Sequence, residues 1–286
     1  PYNPDTGESL PSKPGAPPKY QDVFGQTMVK LCRKDTSVVG ITAAMPSGTG
    51  LGALEQAMPE RYYDVGIAEE HAVLFAAGMA TMGYRPVCAI YSTFLQRAYD
   101  MIVHDVALQN LPVTFCMDRA GLSANDGPTH HGLFDIAYLN CVPGIIAMAP
   151  ANEDELADLM FTSTHQNLPA FIRYPRGNGE GVPVKEQPAM IEIGKAKVIQ
   201  NFSNNGQPKV AFFALGPMRD IVDDAIEELG TDNIDAAIIN PLFIKPIDGG
   251  TTEFFAEAAD VLITIEDHVL RGGYGSIVRD HLADTG

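Results

Sequence analysis

Short apolar runs alternate with helix-patterned segments along the chain, and this alternation limits the possible folds more than any other feature. The first five apolar runs are SVVGITA, PVCAIY, LPVTFCMD, IIAMAP and PAFIRYP, and the predicted helices around them are 20–35, 69–82, 93–110 and 152–166. Short buried strands joined by helices form a parallel sheet that helices cover on both faces. The sequence therefore predicts an α/β domain at residues 20–176.

A smaller unit of the same kind follows. Its strand-like runs are AKVIQ, VAFFAL, IDAAIIN and VLITIEDH, and its predicted helices are 217–229, 251–258 and 275–284. Residues 1–19 are rich in proline, glycine and serine, which is typical of a linker, and residues 177–192 carry few structure signals. We therefore predict two parallel-sheet domains, 20–176 and 193–286, with linkers at 1–19 and 177–192.

The net charge of −17 argues against nucleic acid or an anionic membrane surface as a partner, because both require a basic face on the protein. No apolar run is long enough to span a membrane and the N-terminus has no signal-peptide pattern, so we expect a cytoplasmic location. The four cysteines have no CxxC spacing, and three lie in apolar stretches. This favours reduced, buried thiols over disulfides or a metal site.

Four polar stretches come after predicted strands. They are AMPSGTG (44–50), YSTFLQRAYD (91–100), DRAGLSANDGPTHHG (118–132) and RYPRGN (173–178). Open parallel sheets bind their ligands beyond the carboxyl ends of the strands. Glu69 follows the short RYYDV run and belongs with this group. We expect all five to lie at one edge of the sheet and to form the functional site there.

Glu69 and Glu70 open a segment that runs from Ala72 to Ala80 without a charge. A helix that is apolar on every side is normally buried. A carboxylate at its start is either a favourable charge at the positive end of the helix dipole, or a group that accepts a hydrogen from a ligand in a dry cleft. One of the two glutamates is also free to face solvent, because neighbours diverge by about 100° around the axis.

The other polar stretches add weaker signals. PSGTG is either an ordinary turn or a phosphate-binding loop, although it lacks the lysine of a P-loop. Arg97, Arg119 and Arg176 place three cations near one edge of an acidic protein, which favours phosphate recognition, although Arg97 is also compatible with a surface position on helix 93–110. The adjacent His130 and His131 have no obvious third ligand, so we assign no metal ligands to this chain.

Six stretches together resemble the 1-deoxy-D-xylulose-5-phosphate synthase family, whose members are thiamine-diphosphate enzymes of the transketolase group. They are DVGIAEEHAVLFAAG, YSTFLQRAYD, HDVALQNLPV, DRAGLSANDGPTHHG, RYPRGN and IEDHVLRGGYGS. The resemblance covers essentially the whole chain. It implies that residues 20–176 are a pyrimidine-binding domain and that residues 193–286 are a transketolase C-terminal domain, which stops before its expected last strand and helix.

The resemblance also implies roles for individual residues. Glu69 matches the glutamate that hydrogen-bonds a ring nitrogen of the cofactor's aminopyrimidine, and Phe94 matches the aromatic residue that stacks on that ring. Met45 is assigned to the same cofactor site, and His130 is expected to take part in catalysis. The implied substrate-binding residues are Tyr91, Arg97, Arg119, Asp126 and Arg176. Among these, the two arginines Arg119 and Arg176, together with Tyr91, match the residues that hold the acceptor phosphate.

The implied reaction decarboxylates pyruvate and joins the remaining two carbons to glyceraldehyde 3-phosphate, which gives a precursor of isoprenoids, thiamine and pyridoxal. The family binds the diphosphate and Mg²⁺ through a Gly-Asp-Gly motif in an N-terminal domain, and no Gly-Asp-Gly occurs in these 286 residues. We therefore expect a separate diphosphate-binding domain as partner, a homodimer, and an isolated chain that is inactive. Apolar surface that the missing domain would cover is expected to be bare.

Other hypotheses remain open at this point. The chain is alternatively the C-terminal half of a split transketolase, or the beta subunit of a 2-oxo-acid dehydrogenase, since both share the two-domain layout. A further alternative is a non-catalytic module whose folded domains serve only in dimerisation. The residues of the 91–100 and 118–132 stretches favour the synthase.

Overall fold

The computed structural model describes residues 3–7, 15–123, 126–230 and 233–285. Its α-helices are α1 Tyr20–Lys34, α2 Pro46–Thr49, α3 Gly52–Ala57, α4 Glu69–Thr81, α5 Ser92–Leu95, α6 Tyr99–Met101, α7 Asp135–Asn140, α8 Glu153–Thr164, α9 Arg219–Leu229, α10 Gly249–Ala258 and α11 Tyr274–Thr285. Its strands are β1 Val38–Thr42, β2 Tyr62–Asp64, β3 Arg85–Tyr91, β4 Thr114–Asp118, β5 Ile146–Met148, β6 Ala170–Arg173, β7 Lys197–Gln200, β8 Lys209–Ala214, β9 Asp235–Asn240, β10 Phe243–Lys245 and β11 Val261–Ile265. Within the predicted 1–19 linker, residues 1, 2 and 8–14 lie outside the described residues.

The strands form two sheets. The larger sheet has the order β10-β5-β6-β4-β3-β1-β2, and its pairs from β5 to β2 are parallel. The smaller sheet has the order β11-β8-β9-β7, in which β8 pairs in parallel with β9 and β11. Along β3, Cys88 and Ile90 pack in one apolar cluster while Val87 and Ala89 pack in another, so both faces of the larger sheet are covered. The predicted α/β class with parallel sheets is confirmed.

Strand β10 of the larger sheet is absent from the sequence prediction. Strand β10 pairs antiparallel with β5 at the edge of the larger sheet, although the strands on both sides of it in the chain, β9 and β11, belong to the smaller sheet. Its three residues are too few to give a periodic signal. The chain therefore returns once from the smaller sheet to the larger one, and the predicted domain boundaries stay a prediction.

The prediction of a single helix at 93–110 is wrong. The segment is divided into α5, a 3-10 turn that carries Arg97, α6, and a π-helix at Ile102–Ala107. Its hydrogen bonds reach back five residues, as from Leu108 N to Val103 O at 3.0 Å, which is the pattern that defines a π-helix. Irregular turns of this kind are frequent at functional sites.

Helix α4 is buried on one side only. Ala72 and Ala76 are 0% exposed, whereas Leu74 is 42% exposed and Met82, directly after the helix, is 78% exposed. The expectation that this apolar helix is buried all round is therefore wrong, because the larger sheet covers only one of its faces. The bare apolar surface expected from the sequence is present here, and Leu108 adds to the exposed apolar side chains.

The cysteines are free thiols, as predicted. Cys32, Cys88 and Cys116 are buried and Cys141 is exposed. Burial raises the pKa of the Cys32 thiol to about 12, so this side chain stays protonated and unreactive at neutral pH. No helix in the described ranges is both long enough and apolar enough to cross a bilayer.

Candidate active site

The polar stretches at the strand ends come together, as predicted. Arg119 Nη1 donates to the carbonyl oxygen of Gly48 at 2.9 Å, and its guanidinium carbon lies 3.8 Å from the centre of the Tyr91 ring. Arg119 also pairs with Asp126, which in turn pairs with Arg176. Tyr91 ends β3, and the other residues follow β1, β4 and β6, so the carboxyl ends of four strands meet in one site.

Glu69 is the first residue of α4, and its side chain is only 3% exposed. Its Oε1 accepts a hydrogen bond from Arg97 Nη1 at 2.6 Å. The Arg97 side chain is 50% exposed, so this ion pair lies where the core meets solvent. Glu70, by contrast, is only partly buried. Of the two glutamates, Glu69 is therefore the one that belongs to the site.

Aromatic rings lie beside this ion pair. Phe94 stacks on Tyr91 with 5.6 Å between the ring centres, and His130 meets Phe94 edge-on at 5.3 Å. The guanidinium carbon of Arg97 lies 5.0 Å from the centre of the Phe94 ring while the same side chain pairs with Glu69. A flat group that carries N–H donors is thus held against an aromatic face and bonded to a buried carboxylate.

Arg119 is fixed by its backbone and by its acceptors. Its φ of +59° lies in the left-handed region, which few residues other than glycine adopt, and it is 6% exposed. Its Nη1 donates to Asp118 Oδ2 at 3.0 Å and its Nε donates to Asp126 Oδ2 at 3.1 Å. Backbone strain of this kind persists where the surrounding structure fixes it, and it concentrates at functional sites.

Asp126 joins two arginines, and we refer to Arg119, Asp126 and Arg176 as the arginine cluster. Asp126 accepts hydrogen bonds from both arginines and from Ser123 Oγ, the last at 2.9 Å. Desolvation tends to raise the pKa of this carboxyl, but the Ser123 hydrogen bond and the charges of Arg176 and Arg119 outweigh it and hold the pKa below its usual range. Asp126 is thus shared by two guanidinium groups, and Arg176 keeps 34% of its side chain exposed.

Asp118 is the buried acceptor on the other side of Arg119. Burial raises the pKa of its carboxyl from 3.8 to about 7, although Arg119 opposes the shift. Between these two pKa values the folded state keeps a proton that the unfolded chain releases, so the free energy of unfolding falls as the pH rises from 4 to 7. In urea denaturation, we expect Asp118→Asn to gain stability relative to wild type by about 1 kcal/mol per pH unit between pH 5 and 7. A difference that does not change with pH would contradict this.

Gly48 allows Tyr91 to pack against the loop after β1. A Cβ atom at position 48 would lie 1.8 Å from the Tyr91 hydroxyl oxygen. We predict that Gly48→Ala displaces the Tyr91 ring and the Arg119 guanidinium stacked on it, which weakens binding of inorganic phosphate about tenfold in calorimetry. Gly52→Ala is the control, because its Cβ would lie 3.6 Å from Pro46 O, an ordinary contact. Equal phosphate affinity in the two variants would refute this.

Met45 is 9% exposed and directly precedes α2. It packs in the same apolar cluster as Ala72 of α4, and its carbonyl oxygen accepts a hydrogen bond from Thr49 Oγ1 at 2.8 Å. Its contact with a cofactor stays a prediction. The catalytic role of His130 and the ligand-binding roles of the other site residues likewise stay predictions.

A second buried charged group lies beside the site, and sequence reasoning missed it. Asp135, with 0% side-chain exposure, accepts hydrogen bonds from Arg173 Nε at 3.0 Å and Ser92 Oγ at 3.2 Å. The fully buried His268 places Nε2 3.6 Å from Asp135, and Arg173 Nη2 donates to the carbonyl oxygen of Asp267 at 3.0 Å. An arginine inside the apolar run PAFIRYP was the available sequence signal, since a charge in a strand core needs a partner.

The adjacent histidines make separate local contacts. His131 Nδ1 accepts a hydrogen bond from Ser123 N at 2.9 Å, and His130 Nδ1 lies 3.0 Å from Thr129 Oγ1. Across the part of the chain that the structure describes, no three histidine, cysteine, aspartate or glutamate side chains are arranged to hold a metal ion.

Comparison with known proteins identifies two families. Residues 16–181 match the transketolase pyrimidine-binding domain, and residues 200–286 match the transketolase C-terminal domain. The 1-deoxy-D-xylulose-5-phosphate synthase of Methylacidiphilum infernorum is 55% identical over 287 residues, and that of Acidobacterium capsulatum is 53% identical over 286 residues. Each alignment covers 100% of this chain and 44% of the relative, so the chain spans less than half the length of these curated relatives.

Solved structures share the fold. A split-gene transketolase, described as an inactive beta4 tetramer, matches with a TM-score of 0.80 at 26% identity, over 93% of this chain and 85% of the other. Transketolase from Leishmania mexicana matches with a TM-score of 0.72 at 17% identity, over 91% of this chain and 40% of the other. The first family match alone takes in more than half of the chain. This chain therefore belongs to the transketolase family, with a pyrimidine-binding domain followed by a transketolase C-terminal domain.

Proposed function

We propose that this chain forms the pyrimidine-binding side of the active site of a 1-deoxy-D-xylulose-5-phosphate synthase. The cofactor is thiamine diphosphate, and the substrates are pyruvate and glyceraldehyde 3-phosphate. The observation that carries the proposal is the buried Glu69 carboxylate, which Arg97 links to the Phe94 ring. Tyr91 in turn connects Phe94 to Arg119 of the arginine cluster. The high identity to synthases of this name supports the choice of reaction.

The residues present fit an aminopyrimidine ring. The Arg97 guanidinium already occupies the two positions that such a ring requires, since it is hydrogen-bonded to Glu69 and its carbon lies 5.0 Å from the centre of the Phe94 ring. Glu69 binds and orients the ring through one of its nitrogens, and burial strengthens this hydrogen bond because water does not compete for the carboxylate. When bound, the cofactor supplies the electron sink for decarboxylation.

The arginine cluster fits the phosphate of the acceptor aldehyde. Guanidinium groups present N–H donors in a fixed fork that matches phosphate oxygens. Arg176 is partly exposed and shares Asp126 with the buried Arg119, so we place the phosphate at Arg176 with Arg119 as the second cation of the subsite. Tyr91 contacts both Arg119 and Phe94, which makes the phosphate subsite and the ring subsite direct neighbours.

His130 lies beside both subsites. Its ring centre is 5.3 Å from that of Phe94 and 6.3 Å from that of Tyr91. An imidazole gives or accepts a proton at a reacting oxygen when it is placed within hydrogen-bond reach. We assign this role to His130, and we assign hydrogen bonding along the substrate channel to Arg97 and Asp126.

The remaining parts of the cofactor require a partner. We assign the cofactor's diphosphate and its Mg²⁺ to a separate diphosphate-binding domain, since binding of this kind relies on carboxylate oxygens around the metal. The exposed apolar side chains Ile67, Leu74, Met82 and Leu108 favour association with another protein surface, and we propose a homodimer.

The test combines this chain with a diphosphate-binding domain from a synthase of this family, and we call the complex the assembled enzyme. With thiamine diphosphate and Mg²⁺, it is expected to convert pyruvate and glyceraldehyde 3-phosphate to 1-deoxy-D-xylulose 5-phosphate and carbon dioxide. Preference for a ketose phosphate as donor would instead indicate a split transketolase. This is the alternative suggested by the similarity to the split-gene transketolase structure. An assembled enzyme that binds the cofactor but makes neither product would indicate a non-catalytic module.

A further inference from the structure

A segment distant in sequence holds the base of the 121–132 loop, which carries Asp126 of the arginine cluster. Asp267 Oδ2 accepts a hydrogen bond from Leu122 N at 2.8 Å, across a separation of 145 residues. The two ends of the loop are joined by hydrogen bonds of 2.8 Å and 2.9 Å between the backbones of Gly121 and Gly132. The Asp267 carboxylate therefore binds the loop directly beside the point where it closes.

The backbone of the loop is shaped to receive this carboxylate. Gly121 has a φ of +80°, and a Cβ atom at this position would lie 2.0 Å from Asp267 Oδ2. Only glycine permits both the backbone angle and the close approach. Two independent features, the hydrogen bond to Leu122 and the contact at Gly121, therefore place Asp267 at this point.

Hydrogen bonds continue from this point to the arginines. Ser123, the residue after Leu122, is 2% exposed, and its N–H donates to His131 Nδ1 at 2.9 Å. Its hydroxyl donates to Asp126 Oδ2 at 2.9 Å. Asp126 binds both guanidinium groups of the arginine cluster. A shift of the backbone at Leu122 would therefore move Ser123, and through it the Asp126 carboxylate that aligns Arg119.

Asp267 is itself firmly anchored. Its carbonyl oxygen accepts a hydrogen bond from the buried Arg173 at 3.0 Å. The preceding Glu266 accepts backbone hydrogen bonds from Tyr274 at 2.6 Å and Gly275 at 2.8 Å, which fixes the segment to the first turn of α11. The C-terminal part of the chain thus presents the Asp267 carboxylate on a rigid support.

We propose that Asp267 is a positioning residue for the arginine cluster. It fixes the Leu122 backbone, and through Ser123 and Asp126 it holds the guanidinium groups in the arrangement that accepts a phosphate group. The C-terminal domain thereby contributes to recognition of a phosphate-bearing ligand that it does not touch. The identity of that ligand as a sugar phosphate rests on the proposed function, whereas the anion site itself does not.

The test is made on the full 286-residue chain with inorganic phosphate as the probe. Asp267→Ala is expected to raise the phosphate dissociation constant about tenfold and to speed hydrogen exchange of the Leu122 amide to a similar extent. Asp267→Asn keeps an oxygen acceptor for Leu122 N–H, and we expect it to stay within about twofold of wild type. Asp280→Ala is the matched control, because this α11 carboxylate is 65% exposed.

Unchanged phosphate affinity in Asp267→Ala would overturn the inference, and so would an equal loss in Asp267→Asn. Should Asp267→Ala fail to fold, Asp267→Val takes its place, since its side chain has no hydrogen-bond acceptor. Absence of saturable phosphate binding by wild type would overturn the anion site and this inference together. Failure of the proposed function gives a different result: phosphate binding still depends on Asp267, while the assembled enzyme forms no product.

Discussion

Glu69→Ala is expected to lower the turnover of the assembled enzyme about a thousandfold, the size of a typical loss of general acid–base chemistry. The reason is that Glu69 is the buried carboxylate that we propose orients the aminopyrimidine by a hydrogen bond, and Arg97 links it to the Phe94 ring. Affinity for thiamine diphosphate is expected to fall much less, because the diphosphate and its metal retain their contacts. A steady-state assay and calorimetry on the same sample separate the two effects.

The matched control for this prediction is Glu70→Ala. Glu70 occupies the same first turn of α4 and carries the same charge at the helix start, but it is only partly buried. We expect it to stay within about twofold of wild type, since an exposed charge near a helix start contributes only tenths of a kcal/mol. A thousandfold loss in both variants, or in neither, would contradict the role assigned to Glu69.

Arg173→Met is expected to lower the free energy of unfolding by about 3–5 kcal/mol, because it leaves the Asp135 carboxylate buried without its ionic partner. Arg176→Met, three positions further on, is the control. Its side chain is 34% exposed, so we expect a change in stability below about 1 kcal/mol together with weaker phosphate binding. Of the two arginines in RYPRGN, we therefore expect Arg173 to stabilise the fold and Arg176 to bind the ligand.

Urea denaturation of the chain measures the first effect, and phosphate titration measures the second. In the double variant that adds Asp135→Asn to Arg173→Met, part of the lost stability is expected to return, because the buried negative charge is gone. If Arg173→Met and Arg176→Met are equally stable, the buried pair does not stabilise the fold as proposed.

Much of the site was open to prediction from sequence. Period and length of the apolar runs specify strands and helices, and the carboxyl ends of parallel strands must meet at one edge. This suffices to bring Tyr91, Arg119 and Arg176 to one site, where the structure shows Arg119 against Tyr91 and both arginines paired with Asp126. The pattern alone does not decide which of Glu69 and Glu70 is buried; the resemblance points to Glu69, and its side chain is the buried one.

The features that escaped prediction depend on distant contacts or on backbone detail. The hydrogen bond from Arg173 to the carbonyl of Asp267 joins residues 94 apart, and no local pattern encodes such a pair. The left-handed backbone of Arg119 is held by its surroundings. Because the residue is not a glycine, the sequence contains no signal for this conformation. The π-helix at Ile102–Ala107 has the composition of an ordinary helix, so periodicity alone does not reveal it.

A crystal structure of the assembled enzyme with thiamine diphosphate and Mg²⁺ tests the central claim most directly. We predict that a ring nitrogen of the aminopyrimidine lies about 3 Å from a Glu69 carboxylate oxygen, with the ring stacked on Phe94. The Arg97 guanidinium, which holds both contacts here, must then have moved away from them. A cofactor ring bound elsewhere, with the Arg97–Glu69 pair intact, would contradict the account.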